Sequence, residues 1–316
     1  MHPLQPTLPM VGLGSAEAPD ATAMAAAVKA ACDSGVGMID TAQNYGSEAA
    51  VGDGLRLAGN QEAAAAMYTL CKVDLATQSF EDPAKRMRRQ VQSTMSNLGV
   101  QRISAAVIHW PLCLDKPTSE EEARAVRKAA WQALEGLVDE GLVGCLGVSN
   151  WPPPLLDELL EFARIPPSMN EIEFNPACGA AQREVVAQCA ARNVACVAYS
   201  PFGKCWLAKY FPDFVPWKVT DLSAHPVVAQ VAAEVGCTPG TVLLRWALQQ
   251  DVAVIPKSLR TERVAESVRA LDDAHGLSEA QMGALAGLAD ERRGVAASIE
   301  AHERIIASPD YSWQPT

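Results

Sequence analysis

Four side chains that can hold or transfer protons lie at or just after three successive apolar runs. Asp40 ends "VGMID", with Tyr45 just beyond it, Lys72 ends "MYTLCK", and His109 ends "ISAAVIH". A free tyrosine has a pKa of about 10, which a neighbouring ammonium lowers. Asp40 would keep Lys72 charged and aimed, while His109 would donate a hydrogen bond to a carbonyl oxygen. The set is suited to protonating a carbonyl oxygen as hydride reaches its carbon.

Each of these residues, taken alone, also has an ordinary structural explanation. Tyr45 could simply pack, Lys72 could extend its charged end to solvent, and His109 could be a satisfied core histidine. Asp40 could cap the end of a strand. Separate structural roles do not account for their occurrence at successive strand ends, so we interpret them as one site.

Short apolar runs alternate with longer, alanine-rich segments along the whole chain. The runs are nearly continuous in hydrophobicity, which is typical of parallel strands covered by helices on both faces. The predicted strands are Val36–Asp40, Met67–Lys72, Ile103–His109, Gly144–Asn150, Met169–Phe174, Val194–Ser200 and Val252–Lys257.

Repeated β-then-α units without a break in composition predict an α/β fold, a (β/α)8 TIM barrel formed by residues 1–316 as a single domain. The alternative is a doubly wound open sheet, but the chain lacks its GxGxxG fingerprint. An eighth strand is expected near Ser267–Asp272. Gly12 and Gly14 are expected to turn an N-terminal β-hairpin across the barrel floor.

Polar side chains end six of the seven predicted strands and lie within the fifth, and in a barrel these strand ends converge on the rim where active sites lie. Beyond Asp40, Lys72 and His109, they are Ser149, Asn150, Glu171, Glu173, Tyr199, Ser200, Lys257 and Ser258.

The composition excludes several classes of protein. The formal net charge of −11 argues against binding of nucleic acid or an anionic membrane, and no apolar stretch is long enough for a membrane span. The 9 cysteines form no CxxC pair, which favours reduced thiols in the cytoplasm. No metal site is predicted.

Seven segments in order resemble the aldo-keto reductases, NAD(P)H-dependent enzymes with a (β/α)8 barrel. They are "MIDTAQNYGSE", "LCKVD", "VIHWP", "GCLGVSNW", "NEIEFNP", "VAYSPFG" and "VIPKSLRTERVAES", between about residues 8 and 290. The resemblance implies that Tyr45 is the general acid and that Lys72 and Asp40 tune it. It also implies that His109 orients the substrate carbonyl.

The same resemblance assigns cofactor-binding roles. It places Ser149 and Asn150 at the nicotinamide carboxamide, Tyr199 against the nicotinamide ring, and Ser200 and Phe202 beside the pyrophosphate. Three residues, Lys257, Ser258 and Arg263, match positions that hold the adenosine 2′-phosphate, which favours NADPH over NADH. Glu266 matches a residue beside the adenine.

The chain departs from the family pattern at two of these positions. Glu171 replaces a glutamine that contacts the carboxamide, and a carboxylate can only accept hydrogen bonds. An ionised Glu171 would favour cationic NADP⁺, whereas burial could keep it neutral. Ser267 replaces an asparagine, and its shorter side chain is expected to lose one contact with the adenine.

Aromatic residues in the loops after the strands are the candidates for substrate contacts. Trp110 is expected to form a wall of the pocket, and the segments Leu112–Glu122 and Lys204–Ser223 are predicted to be long substrate loops. The aromatic side chains could form an apolar lid or simply anchor the loop. The remaining candidates are Trp206, Trp217 and Trp313.

These observations predict a monomeric, NADP-dependent oxidoreductase that reduces a small aldehyde or ketone to an alcohol, with Tyr45 as the proton donor. Two alternatives stay open. One is a cofactor-binding regulatory subunit with little turnover, and the other is a biosynthetic reductase or dehydrogenase with a narrow substrate.

Overall fold

The computed structural model describes residues 8–75, 82–111, 119–204, 209, 211, 213–215, 221–290 and 297–301. Eight parallel strands follow one another around a sheet in chain order, and Val11 pairs in parallel with Val254 where the first and last strands meet. The predicted barrel is therefore confirmed, and the open-sheet alternative is wrong. The strands are β1 Gly12–Gly14, β2 Met38–Ala42, β3 Tyr68–Val73, β4 Ile103–Ile108, β5 Val143–Ser149, β6 Met169–Glu173, β7 Ala195–Tyr199 and β8 Val252–Val254.

The location of the eighth strand and the predicted role of two glycines are corrected by the structure. Gly12 and Gly14 do not turn a hairpin, because β1 pairs in parallel with β2 from Gly12–Met38 to Gly14–Asp40. The segment 267–272 is not a strand. It contains the end of a helix and a 3-10 turn, Val268–Leu271. The sequence does not predict β1, because a strand of three residues is too short to show apolar periodicity.

Helices connect the strands and cover the outside of the barrel. Several begin where the sequence supplies a proline in the first turn or a capping side chain, as at Pro83 and Asp20. The helices are α1 Ala21–Ser34, α2 Glu48–Leu57, α3 Gln61–Ala66, α4 Pro83–Leu98, α5 Glu120–Asp139, α6 Pro153–Phe162, α7 Ala180–Ala191, α8 Pro226–Val235, α9 Pro239–Leu248, α10 Thr261–Ser267 and α11 Glu279–Ala286.

Two glycines allow α2 to pack closely against its neighbours. A Cβ atom on Gly52 would lie 2.3 Å from the carbonyl oxygen of Asn97, and one on Gly54 would lie 2.5 Å from Cβ of Val28. These distances are too short for any side chain, so α2 can approach α4 and α1 only with glycine here. The turn that carries Tyr45 therefore leads, three residues later, into a helix held close to α1 and α4.

The core has two layers, one between strands and helices and one inside the barrel. The interior of the barrel is filled by a separate cluster that includes Met38, Leu70, Val107 and Met169.

Among the described residues, none of the helices is by itself long and apolar enough to cross a membrane. The pair α8 and α9 reaches that length and composition only together, across a bend of 87°.

Candidate active site

Lys72 lies at the centre of a buried charged cluster at the rim of the barrel. Its ammonium contacts Asp40 Oδ1 from β2 and lies 3.0 Å from Glu171 Oε1 on β6. Asp40, Lys72 and Glu171 are only 3%, 2% and 1% exposed. Three separate strands therefore bring two carboxyl groups to one ammonium, where the sequence predicted a single Asp40–Lys72 pair.

The cluster shifts the proton affinity of all three groups. Burial raises the pKa of Asp40, although the Lys72 charge opposes that shift. Burial and the Asp40 charge raise the pKa of Glu171 to about 8. Burial favours the neutral amine of Lys72, but the two carboxylates outweigh it and raise the pKa of Lys72 well above its usual range. The cluster therefore favours the charged form of Lys72.

Tyr45 reaches this cluster from a single 3-10 turn, Gln43–Tyr45, which follows β2 and ends at Gly46 with φ 65°. Such a positive φ is readily adopted by glycine. The Lys72 ammonium lies 5.1 Å from the centroid of the Tyr45 ring. The imidazole of His109 meets that ring edge-on, with 5.7 Å between centroids. The structure therefore assembles all four predicted catalytic residues.

The pKa of Tyr45 differs in direction from the expectation. Lys72 lowers it, but desolvation raises it more, and the charges of Asp40 and Glu171 add to the increase. The expected decrease in the pKa of Tyr45 depended on the charge of Lys72 alone. Tyr45 consequently holds its proton at neutral pH, as a general acid must. With Asp40 and Glu171 both ionised, however, the cluster makes Tyr45 a weaker acid than a free tyrosine.

His109 is oriented by two residues that the sequence analysis did not select. Its Nδ1 lies 3.3 Å from Asp74 Oδ1 and 3.4 Å from the amide nitrogen of Asn44. In the tautomer whose Nδ1 accepts from the Asn44 amide, the ring carries its proton on Nε2. That tautomer makes Nε2 a donor for an oxyanion. Asp74 follows β3 two residues after Lys72, so the strand-end pattern was the available signal.

The predicted carboxamide-binding residues form a closed hydrogen-bond network. The Asn150 amide donates to Ser149 Oγ at 3.0 Å and to the His109 carbonyl oxygen at 3.1 Å. The Tyr199 hydroxyl donates to Asn150 Oδ1 at 2.8 Å, and Ser149 donates to the Glu171 carbonyl oxygen. Asn150 has φ 63°, a backbone conformation that asparagine tolerates. These side chains are already oriented, and their donors are used within the protein.

The basic residues predicted to hold a phosphate lie after β8, on the side of the rim near β1. Lys257 is exposed and donates to the carbonyl oxygen of Glu17 at 2.9 Å. The Glu17 carboxylate in turn pairs with Lys209 at 2.8 Å. Arg263 is exposed and Ser258 is half-buried. Together they form a cationic edge beside the loop that follows β1.

Two buried carboxylate oxygens have no hydrogen-bond partner among the described residues. They are Oε2 of Glu171 and Oε1 of Glu266, which lies on α10. Ser267 is buried and donates to the Val264 carbonyl oxygen of its own helix at 2.6 Å. Because unsatisfied buried acceptors are rare in native proteins, the two oxygens mark places where a ligand donor can bind.

The predicted substrate residues are only partly described. Trp110 is buried and packs with Val215 and Ala301 beside His109, and Phe202 packs against the main core. Trp206, Trp217 and Trp313 lie outside the described residues, as does most of the loop predicted at Leu112–Glu122.

Comparisons with known proteins agree with this geometry. The profile described as the aldo/keto reductase family matches residues 10–290. The bovine aldo-keto reductase family 1 member A1 is 31% identical over 281 residues, which cover 84% of this chain and 82% of that protein. An uncharacterised oxidoreductase of Bacillus subtilis is 30% identical over 268 residues, with 84% of each chain covered.

Solved structures give the same result. An aldo-keto reductase of Bombyx mori in complex with NADP superposes with a TM-score of 0.75 at 25% identity, covering 91% of each chain. The aldose reductase of Schistosoma japonicum also has a TM-score of 0.75, at 27% identity, with 93% of this chain and 94% of that one covered. The chain therefore belongs to the aldo-keto reductase family.

Proposed function

We propose that this protein is an NADPH-dependent oxidoreductase that reduces an aldehyde or ketone to an alcohol. The proposal depends chiefly on one observation, the convergence of Tyr45, Lys72, Asp40 and His109 at the barrel rim. A protonated phenol, a fixed ammonium and an imidazole N–H can together supply a proton and hydrogen bonds to a carbonyl oxygen.

The residues present fit a bound NADP(H), as found in the Bombyx mori relative. The unpartnered oxygen of Glu171 can accept an amide N–H from the nicotinamide end, and that of Glu266 can accept the adenine amino group. The Lys257 ammonium and the Arg263 guanidinium carry the charge that a 2′-phosphate requires. When bound, this cofactor supplies the hydride.

The protein's own residues supply the proton and hold the substrate. Tyr45 gives its hydroxyl proton to the carbonyl oxygen, and Lys72 stabilises the phenolate that remains. His109 donates from Nε2 to the same oxygen. The apolar wall formed by Trp110 favours substrates with an apolar group next to the carbonyl and helps to exclude water.

Removal of the cationic edge is expected to change the choice of cofactor. Each of Lys257→Met and Arg263→Met should weaken NADPH binding by about 10- to 100-fold, the value of a charge-assisted hydrogen bond, with little effect on NADH. Fluorescence titration with both cofactors measures this. Arg260→Met is the matched control, because Arg260 is exposed and pairs with Glu262 at 2.7 Å. Equal losses for NADPH and NADH would contradict the assignment.

Oxidation of NADPH in the presence of a panel of aldehydes and ketones tests the reaction itself. We expect a decrease in nicotinamide absorbance with at least one class of carbonyl compound. Tight NADPH binding without turnover on any compound would favour the regulatory, cofactor-binding alternative. Turnover confined to a single compound would favour a narrow biosynthetic reductase or dehydrogenase.

A further inference from the structure

The cluster around Lys72 contains one carboxyl group more than its ammonium can neutralise. Lys72 contacts Asp40 and also Glu171, and all three side chains are buried. We propose that Glu171 is a positioning residue that acts through Lys72: it holds a proton that keeps the buried cluster neutral, and its ionisation suppresses proton donation by Tyr45. The effect on Tyr45 rests on the function proposed above.

The charge balance of the cluster supports a bound proton. With Asp40 and Glu171 both ionised, one negative charge stays uncompensated in a site that excludes water. Burial of an unpaired charge is costly, and buried carboxyl groups normally avoid that cost by taking up a proton. With one carboxyl protonated, an ammonium and a single carboxylate remain, and the cluster is neutral.

The contacts identify Glu171 as the group that holds the proton. Asp40 makes the closer contact with the Lys72 ammonium, whereas Glu171 Oε1 lies 3.0 Å away and Glu171 Oε2 has no partner. Glu171 is therefore the less stabilised carboxylate. Its pKa is raised to about 8 by burial and by the charge of Asp40, and a hydrogen bond to Asp40 also favours the protonated form.

Among the residues that the structure describes, few other charged groups are seen to act on Glu171. Besides Asp40 and Lys72, Tyr45 lies within electrostatic reach, and His109 acts on the cluster through Asp40. On the two neighbouring strands, Glu171 pairs with Ser149 and Val197, neither of which titrates near neutral pH. The ionisation of Glu171 is therefore set within this cluster.

The charge of Glu171 determines how well Lys72 can assist Tyr45. During reduction the O–H bond of Tyr45 breaks and a new O–H bond forms on the carbonyl oxygen. The phenolate left behind is stabilised by the Lys72 ammonium. An ionised Glu171 cancels part of that field, because its negative charge disfavours the phenolate. Proton donation from Tyr45 should therefore weaken as Glu171 loses its proton.

Infrared difference spectroscopy of the protein, without cofactor or substrate, tests the bound proton directly. The wild type should show the carbonyl stretch of a protonated carboxylic acid that disappears as the pH rises through about 8. The band should be absent in Glu171→Gln. It should persist in Glu48→Gln, which removes another buried carboxylate that is bonded to Thr94 and Asn97. A band that survives in Glu171→Gln, or no titrating band in the wild type, overturns the proposal.

The pH dependence of kcat/KM for carbonyl reduction tests the effect on Tyr45. Above the pKa of Glu171 the wild-type value should fall by up to tenfold per pH unit and then level off at a lower value, because ionised Glu171 cancels only part of the field of Lys72. Glu171→Gln should lose this descending limb. If the descending limb is unchanged in Glu171→Gln, the proposal that Glu171 controls proton donation by Tyr45 is overturned. Absence of turnover in the wild type at every pH would instead refute the proposed function, and the infrared experiment would still show whether Glu171 holds the proton.

Discussion

Tyr45→Phe is expected to lower kcat for carbonyl reduction by about 10²- to 10⁴-fold, the usual contribution of a positioned general acid. The substitution removes the hydroxyl that lies next to the Lys72 ammonium and keeps the ring that packs against His109. Affinity for NADPH should change little, because the ring stays in place. Steady-state kinetics and fluorescence titration on the same preparation separate the two effects.

Tyr68→Phe is the matched control for this experiment. Tyr68 lies on the neighbouring strand β3 but is buried in the interior cluster, with its hydroxyl 3.1 Å from the Cys145 sulfur. Loss of that hydroxyl should leave kcat close to the wild-type value. A near-wild-type rate in Tyr45→Phe would refute the assignment of Tyr45 as the acid.

Lys72→Met is expected to reduce the free energy of unfolding by about 3–5 kcal/mol at neutral pH, the usual cost of removing one partner from a buried ion pair. The substitution leaves Asp40 and Glu171 buried without a cation. Urea denaturation measures the loss. Lys72→Met should also abolish carbonyl reduction, since no ammonium remains to stabilise the Tyr45 phenolate.

The pH dependence and a double variant identify the cause of this destabilisation. Both carboxyls have raised pKa values in the folded state, so their contribution to stability is greatest when they are protonated and declines as the pH rises. The penalty in Lys72→Met should therefore shrink toward acidic pH. Asp40→Asn combined with Lys72→Met should recover part of the stability. A loss that is independent of pH and unchanged in the double variant would point to packing instead.

The sequence was sufficient to predict the barrel and the side chains that meet at its rim. Continuous apolar runs that end in polar residues indicate parallel strands, and parallel strands place their carboxyl ends together. The ends of neighbouring parallel strands therefore bring Asp40, Lys72 and His109 to one place. The first strand could not be predicted in this way, because it has only three residues, two of them glycines, and shows no apolar period.

Properties that depend on several neighbours at once could not be predicted in the same way. The pattern of residues along the chain indicated only the effect of Lys72 on the pKa of Tyr45, but in the structure desolvation and two carboxyl groups outweigh it. Asn44 and Asp74 were missed because the orientation of an imidazole depends on distances of a few ångströms that no spacing along the chain encodes.

The junction between the first and last strands also determines the order in which the site can assemble. Lys72 and Asp40 are separated by 32 residues, whereas Lys257 and the Glu17 carbonyl that it contacts are separated by 240. Contacts between distant segments cost more loop-closure entropy and form late in folding. The part of the rim that contains Asp40 and Lys72 can therefore form from neighbouring units of the chain, while the part that contains Lys257 and Glu17 requires both ends of the barrel to meet.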